Sequence, residues 1–148
     1  MKVKVIGMRQ LTDQFSEMDR DLRSDIAKQM AVALAQMDRD VKKGINTGSR
    51  TGRLYERQGK KRQRSAPGEL PKTDTGDLVS RFSTKVKLSK RKVTGVLSND
   101  SDHAVPLEFG SVASGGRPFM RPLYIKWHDL IFIKFKAVMQ ESLRKNGK

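Results

Sequence analysis

Nine apolar residues fall into a single helical register: Leu11, Phe15, Met18, Leu22, Ile26, Met30, Ala33, Met37 and Val41. Their successive spacings are 4, 3, 4, 4, 4, 3, 4 and 4, a mean of 3.75. That mean lies close to the α-helical period, so the nine residues draw one stripe along one helix. Thr12 or Asp13 stands where an N-cap belongs, and Gly44 where a C-cap glycine belongs. The implied helix has about 30 residues and is about 45 Å long. The stretch "SEMDRDLRSD" mixes acids and bases, which marks the other faces as solvated. A seam rich in Met and Ala is poor for a coiled coil. Because such a helix exceeds the needs of a small domain, its stripe is expected to serve a neighbour as well as the chain's own core.

The remaining segments read as follows. "KVKVIG" alternates and predicts a short strand, Lys2 to Ile6, ended by Gly7. From Ile45 to Lys72 the periodicity disappears, and the segment reads as a long loop or extended arm. Thr73 or Asp74 is a candidate cap for a short helix starting near Thr75, with Leu78, Val79 and Phe82 turned inward. "STKVKLS" and "KVTGVLS", joined by "KRK", read as a hairpin. "AVPLEF" is a short helix or an edge segment, since Pro106 argues against a central strand. From Arg117 a terminal helix runs with Pro122 in its first turn and apolar residues on more than one face. These elements predict an α+β fold. A long N-terminal helix and a C-terminal helix pack on a small antiparallel sheet, with a long basic arm, all in one domain spanning 1–148.

Only 36% of the 148 residues are hydrophobic, while 32% are charged, so part of the burial is expected to come from partners. The net charge is +15, and it is uneven along the chain. Residues 1–44 carry nine bases and seven acids, whereas residues 45–74 carry eight and three. A basic excess of this kind points to a polyanion nearby, or to a well-solvated surface. There is no cysteine, which excludes disulfides and thiolate metal sites. No signal-peptide pattern is present and no apolar run is long enough to span a bilayer, so a soluble cytoplasmic product without membrane contact is expected.

Any catalytic constellation must come from two histidines and sixteen acids. His103 and His128 have no metal-ligand spacing and read as structural. Neither a nucleophile elbow nor a phosphate loop is present; "GSVASGG" lacks the following Lys-Ser/Thr. Asp77, Asp100, Asp102 and Glu108 are candidates for a Mg²⁺ nuclease site, but "PLEFG" has no Glu-x-Lys, and Asp77 suits a first helical turn. No enzyme and no cofactor are read from the sequence.

Three stretches, "TGDL", "AVPLEFGS" and "RPFMRP", occur in this order between Ser65 and about Arg144. Together they resemble a family of tailed-bacteriophage virion proteins, the small neck or tail-completion (head–tail joining, minor tail) components. Family members carry a TGxL turn, a Y-A-x-x-L-E-F-G-T element and an R-P-F-x-R-P helix start. Thr75, Gly76 and Leu78 match the first. Ala104, Leu107, Glu108, Phe109 and Gly110 match the second, and Arg117, Pro118, Phe119, Arg121 and Pro122 match the third. His103 stands where the family has Tyr, Ser111 replaces Thr, and Pro106 is unusual before Leu107, which weakens any carry-over of edge contacts there. The resemblance implies a homo-oligomeric ring between the head connector and the tail terminator or tail tube, around the channel through which duplex DNA passes. Its location would be the virion, after assembly in the host cytoplasm.

On this reading the motifs shape an assembling surface. Arg117 is expected to cover a carboxylate, Phe119 to enter the core, and Pro118 and Pro122 to fix the approach to the helix. Leu107 and Phe109 are expected to bury while Glu108 faces out toward Arg117 or Arg121, with Gly110 permitting the turn. Arg50, Arg53, Arg57, Lys60, Lys61, Arg62 and Arg64, set against Glu56 alone, form a basic arm facing a partner or the DNA channel, expected to be mobile in the free protein. The alternative is a stand-alone basic nucleic-acid-binding protein. Against it, aromatic residues make up only 6% of the chain and the basic run holds one of them, Tyr55.

Overall fold

The apolar stripe winds into a 28-residue helix in the computed structural model of the chain, which describes residues 2–3, 20–90, 92–112 and 114–146. In chain order the elements are β1 (Lys2–Val3), α1 (Arg20–Thr47), β2 (Leu54–Arg57), β3 (Lys60–Gln63), α2 (Asp77–Ser80), β4 (Phe82–Leu88), β5 (Val93–Asn99), α3 (Ala104–Phe109) and α4 (Met120–Asn146). The architecture is α+β: two long helices, α1 and α4, with two small antiparallel sheets.

Ile26, Met30, Ala33, Met37 and Val41 are buried along one side of α1, and Leu34 and Ile45 extend the same face. The described part of the stripe is therefore taken up by the chain's own core. Leu11, Phe15, Met18 and the expected caps Thr12 and Asp13 lie outside the described residues. Gly44 does not end the helix, which continues to Thr47. It lies instead beneath Leu70, whose Cδ1 would be 2.9 Å from a Cβ at that position.

The larger sheet has the order β1-β5-β4. Residues 4–6 of the expected first strand lie outside the described residues, while Lys2 and Val3 pair with Ser98 and Leu97. The β4–β5 hairpin is in register from Phe82↔Asn99 to Leu88↔Val93, as the alternation predicts. β5 lies so close to α1 that a Cβ on Gly95 would sit 2.5 Å from Met30 Sδ and 3.0 Å from Leu34 Cδ1. Glycine there lets the helix settle directly on the strand.

α4 closes the core from the other side with Leu123, Trp127, Ile131 and Phe135. Phe119, 1% exposed, meets Phe82 edge to face, with ring centroids 5.8 Å apart and planes at 87°. Asp40 on α1 fastens the two long helices, because its Oδ2 accepts from Lys126 Nζ at 2.6 Å and from Trp127 Nε1 at 3.1 Å. Lys126 strengthens that acceptor enough to hold the Asp40 carboxyl below its ordinary value of 3.8, against partial burial and with help from Trp127.

The segment expected to be an irregular loop contains the second sheet. β2 and β3 pair from Leu54↔Gln63 to Arg57↔Lys60 across a two-residue turn, Gln58-Gly59, with φ of 52° and 70°. Two successive positive φ values suit the right-handed twist of a tight hairpin. The strands escape a pattern search because "LYER" and "KKRQ" show almost no apolar alternation.

Candidate functional site

The three motif stretches meet at one corner of the fold, and Glu108 holds them there. α4 carries no acidic residue in its first turn, and the residue before it, Phe119, has no side-chain acceptor for the free N–H groups of a helix start. Glu108 supplies one from a distance. Its Oε2 accepts from the N–H groups of Phe119 at 2.8 Å and Met120 at 2.9 Å, and its Oε1 accepts from Arg121 N–H at 2.9 Å. A negative carboxylate at the positive end of the helix dipole adds to these charge-assisted bonds.

This arrangement reverses the expected orientation. Glu108 is buried at 8% exposure and Phe109 is 74% exposed. An inward Leu107 and Phe109 around an outward Glu108 presumes the two-residue period of a strand. The segment is a helix, so positions i, i+3 and i+4 share a face. Ala104 and Glu108 are accordingly buried, and Leu107 packs against the core. Glu108 bonds main-chain N–H groups and not the guanidinium of Arg117 or Arg121. Arg117 makes its hydrogen bonds to carbonyls, from Nε to Ser65 O at 2.8 Å, and its N–H reaches Leu107 O at 2.6 Å. The carboxylate its charge acts on is Glu69, whose carboxyl is held below its ordinary value mainly by Thr51 and the Ala66 N–H. Gly110 takes φ 86°. The chain folds back so tightly there that a Cβ would lie 2.9 Å from Gly116 N, so glycine serves the turn. Pro118 is half-buried, and Pro122 is exposed in the first turn of α4.

The "TGDL" turn is held by a side-chain network that has no sequence signature. Gly76, at φ 84°, stands at the N-cap of α2 and offers no capping side chain. Neither Thr73 nor Asp74 serves as its cap. Thr75 Oγ1 accepts from Asp77 N–H at 3.4 Å. Buried Asn99 donates Nδ2 to Leu78 O at 2.7 Å and accepts Ser101 N–H at 3.0 Å. Asp77 accepts from Ser101 Oγ at 2.6 Å and Arg81 Nε at 2.7 Å, and these two donors hold its carboxyl below the ordinary range.

The basic arm forms the other half of the corner. Residues opposite one another in an antiparallel pair share a face. The register therefore puts Tyr55, Arg57, Lys60 and Arg62 on one side of the hairpin, and Leu54, Glu56, Lys61 and Gln63 on the other. Arg64 joins the first side, its guanidinium 4.8 Å from the centroid of the Tyr55 ring. That side faces Asp74, whose carboxylate is shared by Arg57 and Arg62. Desolvation pushes the Asp74 carboxyl up, but the two guanidinium groups outweigh it and hold the carboxyl below its ordinary value. The arm is thus a paired hairpin tied to the body at Asp74.

Between hairpin and body lies an open cleft of about 590 Å³. Its walls hold Thr75, Gly76, Leu78, Leu107 and Arg117 from the motif stretches, and Arg50, Arg57 and Arg64 from the arm. Arg53, Lys60, Lys61 and Arg62 are not among its lining residues, and neither are the remaining motif positions Glu108, Phe109, Gly110, Pro118, Phe119 and Pro122.

Of the acids considered for Mg²⁺, Asp77 is engaged by Arg81 and Ser101, and Glu108 by the helix start. Among the described residues no three His, Asp or Glu side chains gather as a metal site. His128 Nδ1 lies 2.8 Å from its neighbour Asp129 on the surface. No helix among the described residues is long and apolar enough to cross a membrane. No protein-family model, no curated protein and no solved structure matches the chain.

Proposed function

We propose that the chain is a structural component of a tailed-phage neck, a homo-oligomer that joins the head connector to the tail around the DNA channel. The observation that carries this reading is the convergence of the three motif stretches on one corner of the fold. Residues from all three line a single cleft, and Glu108 of the second stretch caps the helix that the third stretch opens. Their work is geometric, since they fix main-chain positions and the entry of α4.

A second support is the outer side of α4. Ile125 is 64% exposed and Ile133 is 62% exposed, with Phe132 and Leu143 also open. Apolar exposure of this extent on a highly charged chain fits contact with another protein. A cyclic ring presents two different faces of each copy, and the α4 side and the hairpin corner are two such faces. The partners on this reading are further copies, the head connector, and the tail terminator or tail tube, with duplex DNA passing through the lumen of an assembled virion.

Light scattering and negative-stain microscopy of the purified chain, from micromolar to millimolar concentration, test the proposal. Closed rings are the expected result. A strict monomer throughout, also in the presence of connector and tail proteins, overturns it. The alternative of a stand-alone nucleic-acid-binding protein draws on the cations gathered on one side of the hairpin. It predicts a monomer at high salt that binds DNA without assembling.

A further inference from the structure

We propose that the cleft between the β2–β3 hairpin and the α2–α3 corner is a docking slot for an acidic peptide segment of a protein partner, and that Asp74 occupies part of it as an internal stand-in. This deepens the neck reading by naming the chemistry of the partner, and it rests on that reading only for where the partner comes from.

The charge of the walls sets the sign of the ligand. Arg50, Arg57, Arg64, Lys72 and Arg117 line the cleft against Glu56, Asp74 and Asp77. Asp77 is already satisfied by Arg81, which is not among the lining residues, so its charge is spent elsewhere. Several of the cations hold only main-chain carbonyls in the hydrogen bonds they make. Arg50 donates to Thr73 O at 3.3 Å and Lys72 Nζ to Gly48 O at 3.1 Å. A guanidinium has five N–H donors and an ammonium three, so each keeps donors for a ligand.

Asp74 shows which anion suits the slot. A single carboxylate lodges between Arg57 and Arg62, with one nitrogen of each guanidinium on a different oxygen, a charge-assisted pair that leaves both groups further donors. Nucleic acid fits less well. A cleft of about 590 Å³ has room within it for one extended chain but not for a duplex. A single strand binds by stacking on a series of aromatic rings, but the cleft walls carry one tyrosine, Tyr55, and Arg64 lies over one face of it. A chain of carboxylates needs no stacking platform and can take the place of Asp74 one group at a time.

The test uses the full chain and a fluorescein-labelled hexaglutamate peptide, read by anisotropy at about 0.15 M salt, where long-range attraction to the net charge is screened. Asp74→Asn frees Arg57 and Arg62 and should tighten binding by about fivefold or more, whereas Asp129→Asn on α4, with the same change in net charge, should stay within about twofold. Arg64→Gln and Lys72→Gln should each weaken binding by about fivefold, against less than about twofold for exposed Lys136→Gln. Circular dichroism confirms that each variant is folded. Equal effects of Asp74→Asn and Asp129→Asn, or of the cleft variants and Lys136→Gln, overturn the docking slot. A duplex oligonucleotide that displaces the peptide and loses affinity to the same cleft variants also overturns it, in favour of nucleic acid. Ring assembly with no cleft-dependent peptide binding sinks the slot and spares the neck reading. Cleft-dependent binding in a chain that never assembles does the reverse.

Discussion

Glu108 caps the helix that Phe119 leads into, across eleven residues of chain, with Oε2 2.8 Å from Phe119 N. The bond connects a site on α3 to the start of α4 and leaves the N–H groups of Phe119, Met120 and Arg121 without orphans. Replacing it with Ala strands those donors in a mostly buried place. Glu108→Ala is predicted to cost on the order of 3 kcal/mol, since charge-assisted bonds are lost and buried donors go unpaired. Glu108→Gln keeps one acceptor oxygen and should fall between the two. Urea denaturation measures both, and an unchanged midpoint for Glu108→Ala would show that the cap is not what holds the corner.

The two phenylalanines of the motif stretches should part company on truncation. Phe119 is enclosed and touches Phe82, whereas Phe109 projects into solvent. Phe119→Ala is predicted to cost about 3–5 kcal/mol through lost burial and the cavity left behind. Phe109→Ala should stay within about 0.5 kcal/mol in the isolated chain. Thermal melts of the pair decide it. Equal melting of the two variants would remove Phe119 as the core anchor.

What could be read beforehand follows the range of the physical signal. The α1 stripe and the β4–β5 alternation are local burial patterns, and Ile26, Met30, Leu97 and their neighbours are buried as that pattern dictates. The outward placement expected of Glu108 fails because the segment is helical and because its partners are main-chain N–H groups, which have no side-chain signature. One clue was available: "RPFM" opens a helix with no capping side chain of its own, so a cap had to come from elsewhere. The roles of Asn99 and Asp74 escape the sequence for a related reason, Asp74 reading there as a helix cap. Asn99 reaches Leu78 across 21 residues, and Asp74 reaches Arg57 and Arg62 across 17 and 12, joined only by the folded topology. The hairpin at Leu54–Gln63 was hidden because its two sides differ in charge and not in hydrophobicity.

Acid should loosen the α1–α4 and α2 contacts. The Asp40, Asp74 and Asp77 carboxyls are each held below the ordinary value of 3.8 in the folded chain. The unfolded chain therefore takes up these protons first as the pH falls. The stabilisation is complete above the unfolded value and is lost as the pH drops through it toward the lower folded values. Urea midpoints at pH 6 and pH 3 should differ accordingly. Asp77→Asn should be weaker than the parent at pH 6 and lose less between the two pH values. A parent and variant that lose equally would place the acid sensitivity elsewhere.

Self-association is predicted to run through the outer side of α4. Ile125→Glu combined with Ile133→Glu changes two exposed positions, so the isolated fold should keep its stability within about 1 kcal/mol. Light scattering should nonetheless show smaller particles than the parent at the same concentration. A double variant that assembles like the parent assigns the contact to another face.

The hairpin variant Lys60→Gln, Lys61→Gln, Arg62→Gln and Arg64→Gln separates protein partners from DNA. None of the four side chains belongs to the hydrophobic core, so the variant should fold and melt near the parent. It removes one of the two guanidinium groups on Asp74 and, with Arg64, the wall cation over Tyr55. If DNA phosphates are the counter-charge, the salt slope of DNA binding should fall by about 0.9 for each contact removed. If a protein is the counter-charge, DNA affinity should barely change while neck assembly fails. The second outcome is the one predicted, because a channel wall must let a duplex slide and the Asp74 arrangement already shows a carboxylate seated on Arg62, with Arg57 beside it. A variant that assembles, joins heads to tails and yields infectious particles at the normal level would refute both forms of the idea.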